Sequence, residues 1–226
     1  MDETAVERPF SHPIAPKHES RCNIMTEKIS EDLKQCVTFH GHLCPGLIYG
    51  YIVAREARNL LSINRSADEE VVTVSENDSC AVDAFQVLLG TSTGKGNLII
   101  KNYGKNAYTV FSRLSNQAYR FSRITGYAYT GDHEAEFKAL EAKVAGNTAT
   151  TEEKKRQKYL KAMDLLHKPF ETVFATKAVP WLPPEYAELA PSKACAICGE
   201  MTMATKMKTS DTHGLVCIPC AAETGL

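Results

Sequence analysis

Four of the eight cysteines form two tight pairs near the C-terminus, Cys195-x-x-Cys198 and Cys217-x-x-Cys220, with eighteen residues between them. Two such pairs at this separation are a zinc signature. A two-residue gap lets both sulfurs of one turn reach a single ion, and zinc takes four ligands in a tetrahedron. So short a segment cannot bury enough apolar surface to fold unaided, so the metal supplies folding energy. Gly199 relieves the turn after Cys198, and Cys217 and Cys220 open a short helix running to about Glu223. The expected module is a treble clef or ribbon around a structural zinc. The competing readings of the four thiols are a redox dithiol pair or two disulfides. Four cysteine ligands close the site, so no catalysis is assigned to it, and His213 is surplus.

The rest of the chain is long enough to bury a core without disulfides. Lys and Arg total 26 against 27 for Asp and Glu, which gives no general electrostatic reason to expect nucleic acid. The stretch Lys154, Lys155, Arg156, Lys158 and Lys161 is the exception. No run approaches the roughly 20 apolar residues of a membrane span, and the N-terminus lacks a secretory pattern. The chain is therefore expected to be cytoplasmic, with its cysteines as metal ligands or reactive thiols.

Periodicity predicts a loose tail over 1–25 and an α+β core over 26–179. A Pro-rich linker over 180–191 and the zinc finger over 192–226 follow. In the core, Ile29, Leu33, Cys36 and Val37 share a helical face, with Thr26 and Ser30 as candidate caps. A second helix starts at Pro45 and carries Gly46, Gly50, Ala54 and Ala57, a run that invites close approach by another element. Val71–Ser75 is a strand, and Cys80–Leu89 a third helix. Leu98–Tyr103 and Ala107–Phe111 are expected to pair as a hairpin across Gly104-Lys105-Asn106, with a further strand over 117–124. Charged helices over 132–145 and 150–167 and a β-like segment over 170–179 complete the core. The sheet is expected to be small and antiparallel, with helices packed on it.

His40, His42 and Cys44 alternate at the start of the second helix, where partial positive charge favours a thiolate. Such a group can bind a transition metal or act as a nucleophile; the plain alternative is a capping turn with one buried cysteine. Cys80 also opens a helix. If the two cysteines converge, His42 or His40 completes a site of three protein ligands with one open position, and Asp83 orients a ligand from behind. Gly90-Thr91-Ser92-Thr93-Gly94-Lys95 has one residue too few for a phosphate loop, and Gly96 replaces the magnesium-binding Ser/Thr. That argues against an ATPase and for a glycine loop presenting Lys95 to an anionic ligand. Cys22 and Cys36 are read as incidental, Cys36 as core.

Phe39-His40-Gly41-His42-Leu43-Cys44-Pro45-Gly46-Leu47, Cys80-Ala81-Val82-Asp83-Ala84-Phe85-Gln86 and Thr93-Gly94-Lys95-Gly96-Asn97-Leu98 occur in that order. They are followed by Tyr103-Gly104-Lys105-Asn106-Ala107-Tyr108. The series resembles the FmdE family of formylmethanofuran dehydrogenase proteins, some members of which carry a C-terminal treble clef. The resemblance implies an α+β core that tends to dimerise, with a metal site built from the His/Cys motif. It also implies an association with the molybdenum or tungsten formylmethanofuran dehydrogenase, which reduces carbon dioxide in methanogenesis, although many relatives occur where methanogenesis does not. Many relatives have a cysteine in the glycine loop, where this chain has Gly90-Thr91-Ser92-Thr93.

The expectation that follows is a metal-binding protein of anaerobic one-carbon or molybdenum/tungsten metabolism, catalytic or redox-active. Cys44 and Cys80 are its soft ligands or reactive thiols, His42 and then His40 its ligands or proton carriers, and Lys95 its anion contact. Its core metal is a second transition ion, zinc among the candidates. A non-catalytic accessory or metal-delivery protein docking through the zinc module is the alternative, and a DNA-binding regulator the third reading.

Overall fold

The computed structural model of the chain describes residues 29–225; the predicted tail, Cys22 and Thr26 lie outside them. Helix α1 (Glu31–His40) is capped by Ser30, whose Oγ accepts from Leu33 N at 3.3 Å. It stops at Gly41, whose φ of 90° is a left-handed conformation that glycine adopts without cost. Helix α2 (Pro45–Leu61) begins at its proline, as expected, with Cys44 as N-cap. Strand β1 (Val71–Ser75), helix α3 (Ala81–Leu88) and strand β2 (Leu98–Ile100) then form a parallel crossover unit. Strands β3 (Ala107–Ser112) and β4 (Gln117–Arg123) follow. Helices α4 (Glu134–Ala145) and α5 (Thr151–His167) come next, then the one-turn helix α6 (Phe170–Val173) and strand β5 (Phe174–Ala178). The segment 170–179, expected to be β-like throughout, thus starts with a helical turn.

The fold is α+β: helices lie on a five-stranded sheet in the order β2-β1-β3-β4-β5, antiparallel except for the β1–β2 pair. The hairpin expected across Gly104-Lys105-Asn106 is absent, because β1 sits between β2 and β3. All five residues of β1 are buried, and a strand buried on both faces belongs inside a sheet. The 101–106 connection instead wraps the end of β1, with Lys101 N donating to Ser75 O (2.7 Å) and Tyr103 N to Glu76 O (3.0 Å).

Helix α2 is the centre of the core. Leu47, Ile48, Val53, Ala54 and Ala57 on it are wholly buried, packed among α1, α3, α5 and one face of the sheet. Cys36 lies in this core as expected, and burial first, then Asp32, pushes its thiol up to about 12. The other sheet face carries Val72, Val74, Phe111 and Ala118, covered by Val179 and by Trp181, which meets Phe111 edge-on at 6.0 Å.

Helices α4 and α5 carry mixed charge outward, as expected, and are clamped by Arg156, which donates from Nε (2.7 Å) and a terminal nitrogen (2.9 Å) to Glu136. Lys161 lies over the Tyr127 ring at 4.3 Å and Lys155 pairs with Glu152 at 3.9 Å, so three of the five cations of the basic stretch are engaged within the molecule. Thr150 and Glu153 form a reciprocal capping box at the start of α5. Thr150→Ala is expected to cost about 1 kcal/mol, read as a lower urea midpoint with an unchanged slope.

The C-terminal part holds two small hairpins, β6 (Ser192–Ala194) with β7 (Met201–Met203) and β8 (Met207–Ser210) with β9 (Gly214–Cys217). Helix α7 (Ile218–Glu223) follows directly. No helix among the described residues is long and apolar enough to cross a membrane.

Candidate metal centres

Cys195 and Cys198 sit on the turn between β6 and β7, where Gly199 takes φ 77°. Cys217 caps α7, and Cys220 lies in its first turn. One pair on a knuckle and one at a helix start is a treble-clef arrangement. The four sulfurs lie within 4.8 Å of one another, with Cys198 and Cys217 at 3.9 Å. A tetrahedron with Zn–S near 2.3 Å requires sulfurs about 3.8 Å apart, so the donors fit zinc. Backbone N–H groups of Cys198, Cys217 and Ile197 draw the Cys195 thiol down to about 6, and Cys217 N reaches its sulfur at 3.3 Å. The neighbouring Cys217 thiol, then burial, pushes Cys220 the other way. Four thiols so close cannot all ionise without a cation between them. His213 stands exposed in the β8–β9 turn, outside the quartet.

The second cluster is His40, Cys44 and Cys80, whose ligand atoms also lie within 4.8 Å of one another. Three elements deliver them: the last turn of α1, the N-cap of α2 and the residue before α3. Two glycines let α3 come so near. A Cβ on Gly50 would stand 2.1 Å from the Ala81 carbonyl oxygen, and one on Gly46 would stand 3.0 Å from Cys80 Cβ. The small-residue run of α2 therefore has its reason in the approach of Cys80 to Cys44.

His40 Nε2 is 3.6 Å from Cys44 Sγ, and its Nδ1 is 2.7 Å from Asp83 Oδ2. A carboxylate only accepts, so Nδ1 carries a proton, and Nε2 is the ring nitrogen left facing the thiols. Asp83 is fixed in turn by Gln86 Nε2 at 3.0 Å. Cys44 Sγ accepts from Leu47 N at 3.4 Å. Burial nonetheless raises its pKa, with Cys80 adding to the effect, so an ion entering here must displace the thiol proton. A carboxylate–histidine pair with two thiols is a Cys₂His donor set that suits zinc or a similar soft-to-borderline ion, with a fourth position for a further ligand.

The structure brings together three of the four residues drawn from sequence to the core site. His42 is not among the converging donors; it is exposed and its ring lies against that of His40, centroids 4.6 Å apart. Burial, His40 and Lys158 all lower its pKa. The signal that separates the two histidines is helical spacing. Leu33, Cys36 and His40 recur at three and four residues along the buried face of α1, while His42 lies past the Gly41 stop. Lys95 does not face the cysteines. Its ammonium donates to the carbonyls of Ser66 (3.3 Å), Ala67 (3.2 Å) and Asp68 (3.0 Å). Asn97 Nδ2 joins it on Asp68 O (2.8 Å) and Val71 O (2.9 Å). The glycine loop thus closes the carbonyls of the chain entering β1, groups that need donors wherever they leave water.

Fold and site together define a small α+β protein with a three-donor thiol–imidazole pocket and a separate four-cysteine module. Residues 39–175, more than half of the chain, match the family described as FmdE, molybdenum formylmethanofuran dehydrogenase operon. The chain belongs to the FmdE family, which associates it with formylmethanofuran dehydrogenase-related metabolism. It is 26% identical over 203 residues to a probable S-adenosyl-L-methionine-binding protein of Archaeoglobus fulgidus, covering 87% of this chain and 54% of that one. The chain thus spans about half the length of that curated relative. A tungsten formylmethanofuran dehydrogenase FmdE-like protein from Syntrophus aciditrophicus is similar at 19% identity and a TM-score of 0.49, over 86% of this chain and 92% of that one.

Proposed function

We propose that the core binds one transition ion, zinc among the candidates, through His40 Nε2, Cys44 Sγ and Cys80 Sγ, and presents it to a small ligand. The service is to the one-carbon chemistry of molybdenum or tungsten formylmethanofuran dehydrogenases, including their role in methanogenesis. The observation that supports this reading is the Asp83–His40 pair aimed at two cysteines that α2 and α3 hold together through Gly46 and Gly50. A divalent ion supplies Lewis acidity toward whatever donor takes the fourth position. The residues do the rest: Asp83 fixes the imidazole tautomer, the Leu47 N–H supports the Cys44 sulfur, and His42 offers a neutral imidazole beside the ligand set. The C-terminal quartet holds a structural zinc. The working unit is a homodimer, and a molybdenum or tungsten enzyme is its partner.

Metal analysis of the full chain purified without air tests this. The wild type is expected to carry about two equivalents and the Cys44→Ser/Cys80→Ser variant about one. Asp83→Asn should lower core-metal affinity about 10–100-fold, while His42→Ala keeps the ion. Equal metal in wild type and the double serine variant would sink the core site. The half-exposed Cys80 favours a second reading, delivery of the ion to a partner by thiol exchange. Metal transfer to an apo-acceptor without turnover of any small molecule supports delivery over catalysis. S-adenosyl-L-methionine, named for the Archaeoglobus relative, is one ligand to offer the loaded protein.

A further inference from the structure

At the C-terminal end of β4 lie two adjoining clefts of about 430 Å³ each, sharing Arg123, Thr125 and Gly126. The first runs under Lys105 and Arg120, the second past Tyr49 and Lys168, and no acidic residue lines either. Two of these four cations are already neutralised. Arg120 gives two hydrogen bonds to Glu76 (3.0 and 2.8 Å), and Lys168 pairs with Asp164 at 3.3 Å. Lys105 and Arg123 have no carboxylate partner among the described residues.

Arg123 is held in place without being neutralised. Its Nε donates to Thr125 O at 2.8 Å, and its guanidinium carbon stands 4.9 Å above the Tyr49 ring, itself buried edge-on against Phe174. The terminal nitrogens make no described hydrogen bond, yet none is buried without a partner, so they are open to the clefts. A half-buried, pre-oriented guanidinium normally faces a carboxylate or phosphate, because its planar fork matches two oxygens at once.

We propose that this cleft is an anion-binding site in which the terminal nitrogens of Arg123, assisted by Lys105, hold the carboxylate or phosphate group of a small ligand. No metal ligand takes part in it. Asn77 nevertheless ties it to the metal pocket. Asn77 Nδ2 donates to Lys105 O (2.9 Å) and Asn106 Oδ1 (3.2 Å), and its Oδ1 accepts from Ser79 N (3.2 Å) and Oγ (2.9 Å), just ahead of Cys80. An anion seated on Arg123 therefore lies at the same end of the sheet as the metal donors.

Calorimetric titration of the full chain at low salt with inorganic phosphate, and separately with citrate, tests this. One anion per chain is expected to bind, and Arg123→Gln to weaken it about tenfold or more by removing a charge-assisted bidentate contact. Arg123→Lys, a point charge without the fork, should fall between, and Lys105→Gln should cost about two- to threefold. The Cys44→Ser/Cys80→Ser variant should bind as the wild type does. Preference for phosphate identifies a phosphorylated ligand, preference for citrate a polycarboxylate; both support the site. It is overturned if neither anion binds at about 10 mM, a concentration that reveals even millimolar affinities. Unchanged affinity in Arg123→Gln, or affinity lost with the two cysteines, overturns it as well. Should Arg123→Gln fail to fold, wild-type binding by both Arg123→Lys and Lys105→Gln overturns it in the same way. Arg123-dependent capture of duplex DNA in preference to both anions also overturns it.

Discussion

Removing the zinc proposed for the C-terminal quartet, or replacing Cys217 by serine, should unfold residues 192–225 while the core stays folded. The apolar cluster available to this segment is Cys195, Val216, Cys217, Cys220 and Ala221 with Met207 alongside. Three of its members are the ligands themselves, so little remains to offset the backbone entropy of some thirty residues, about 1 kcal/mol or more for each. A structural zinc contributes about 10–16 kcal/mol of apparent binding energy in comparable small modules. The cross-ties that remain are thin, such as Ala196 N to Leu215 O at 2.9 Å and Cys217 N to the Cys195 sulfur. Limited proteolysis with and without a strong chelator is the measurement. New cleavage between 192 and 225, with the 29–178 fragment intact, is the expected pattern. Continued resistance of the module after one equivalent of metal has left would show that its hairpins and α7 stand without the ion.

The elements read correctly from sequence are those whose cause is local. Pro45 opens α2, Ser30 caps α1, and the β-branched run at 71–75 becomes β1. The quartet was legible for the same reason, since ligand spacing within each pair is a property of one turn. What failed needed information from far along the chain. Nothing in residues 98–111 shows that β1 will separate β2 from β3; that follows from α3 crossing over and from β1 being buried on both faces. The glycines around Lys95 point toward a ligand contact, and they say nothing of what its ammonium meets inside the chain. Its ammonium meets carbonyls 27 to 29 residues back, and a backbone oxygen leaves no mark in a sequence.

The core pocket lies between these cases. The donor types were legible, yet the choice of His40 over His42 depends on which way the last turn of α1 faces. That turn is set by Leu33 and Cys36 underneath it, both wholly buried. The partner that fixes His40, Asp83, comes from α3, 43 residues away. Pairing of α1, α2 and α3 thus assembles a site that no single segment carries.

That dependence gives the second large expected effect. Gly50→Ala should destabilise the fold and empty the proposed core metal site, although Gly50 is not itself one of the donors. The new methyl would lie 2.1 Å from the Ala81 oxygen, 2.6 Å from Ala81 Cα and 2.7 Å from its carbonyl carbon. All three are backbone atoms at the start of a helix, so no side-chain rotation relieves the clash and α3 must move outward by about 1 Å. Overpacking of this kind costs about 1–3 kcal/mol or more, against about 1 kcal/mol returned by the better helix propensity of alanine. Cys80 precedes Ala81 and moves with it, whereas a site holds its ion only while its donors stay within about 0.5 Å of their places. Gly46→Ala is the control, because there the methyl meets the Cys80 side chain at 3.0 and 3.4 Å rather than backbone. It should keep nearly wild-type stability and lose about tenfold in core-metal affinity, within the range seen when a metal site's supporting contacts are altered. Both variants should retain the C-terminal equivalent. If Gly50→Ala keeps the core ion at wild-type affinity, the close approach of α3 to α2 is a packing feature alone, and the two cysteines meet for some other reason.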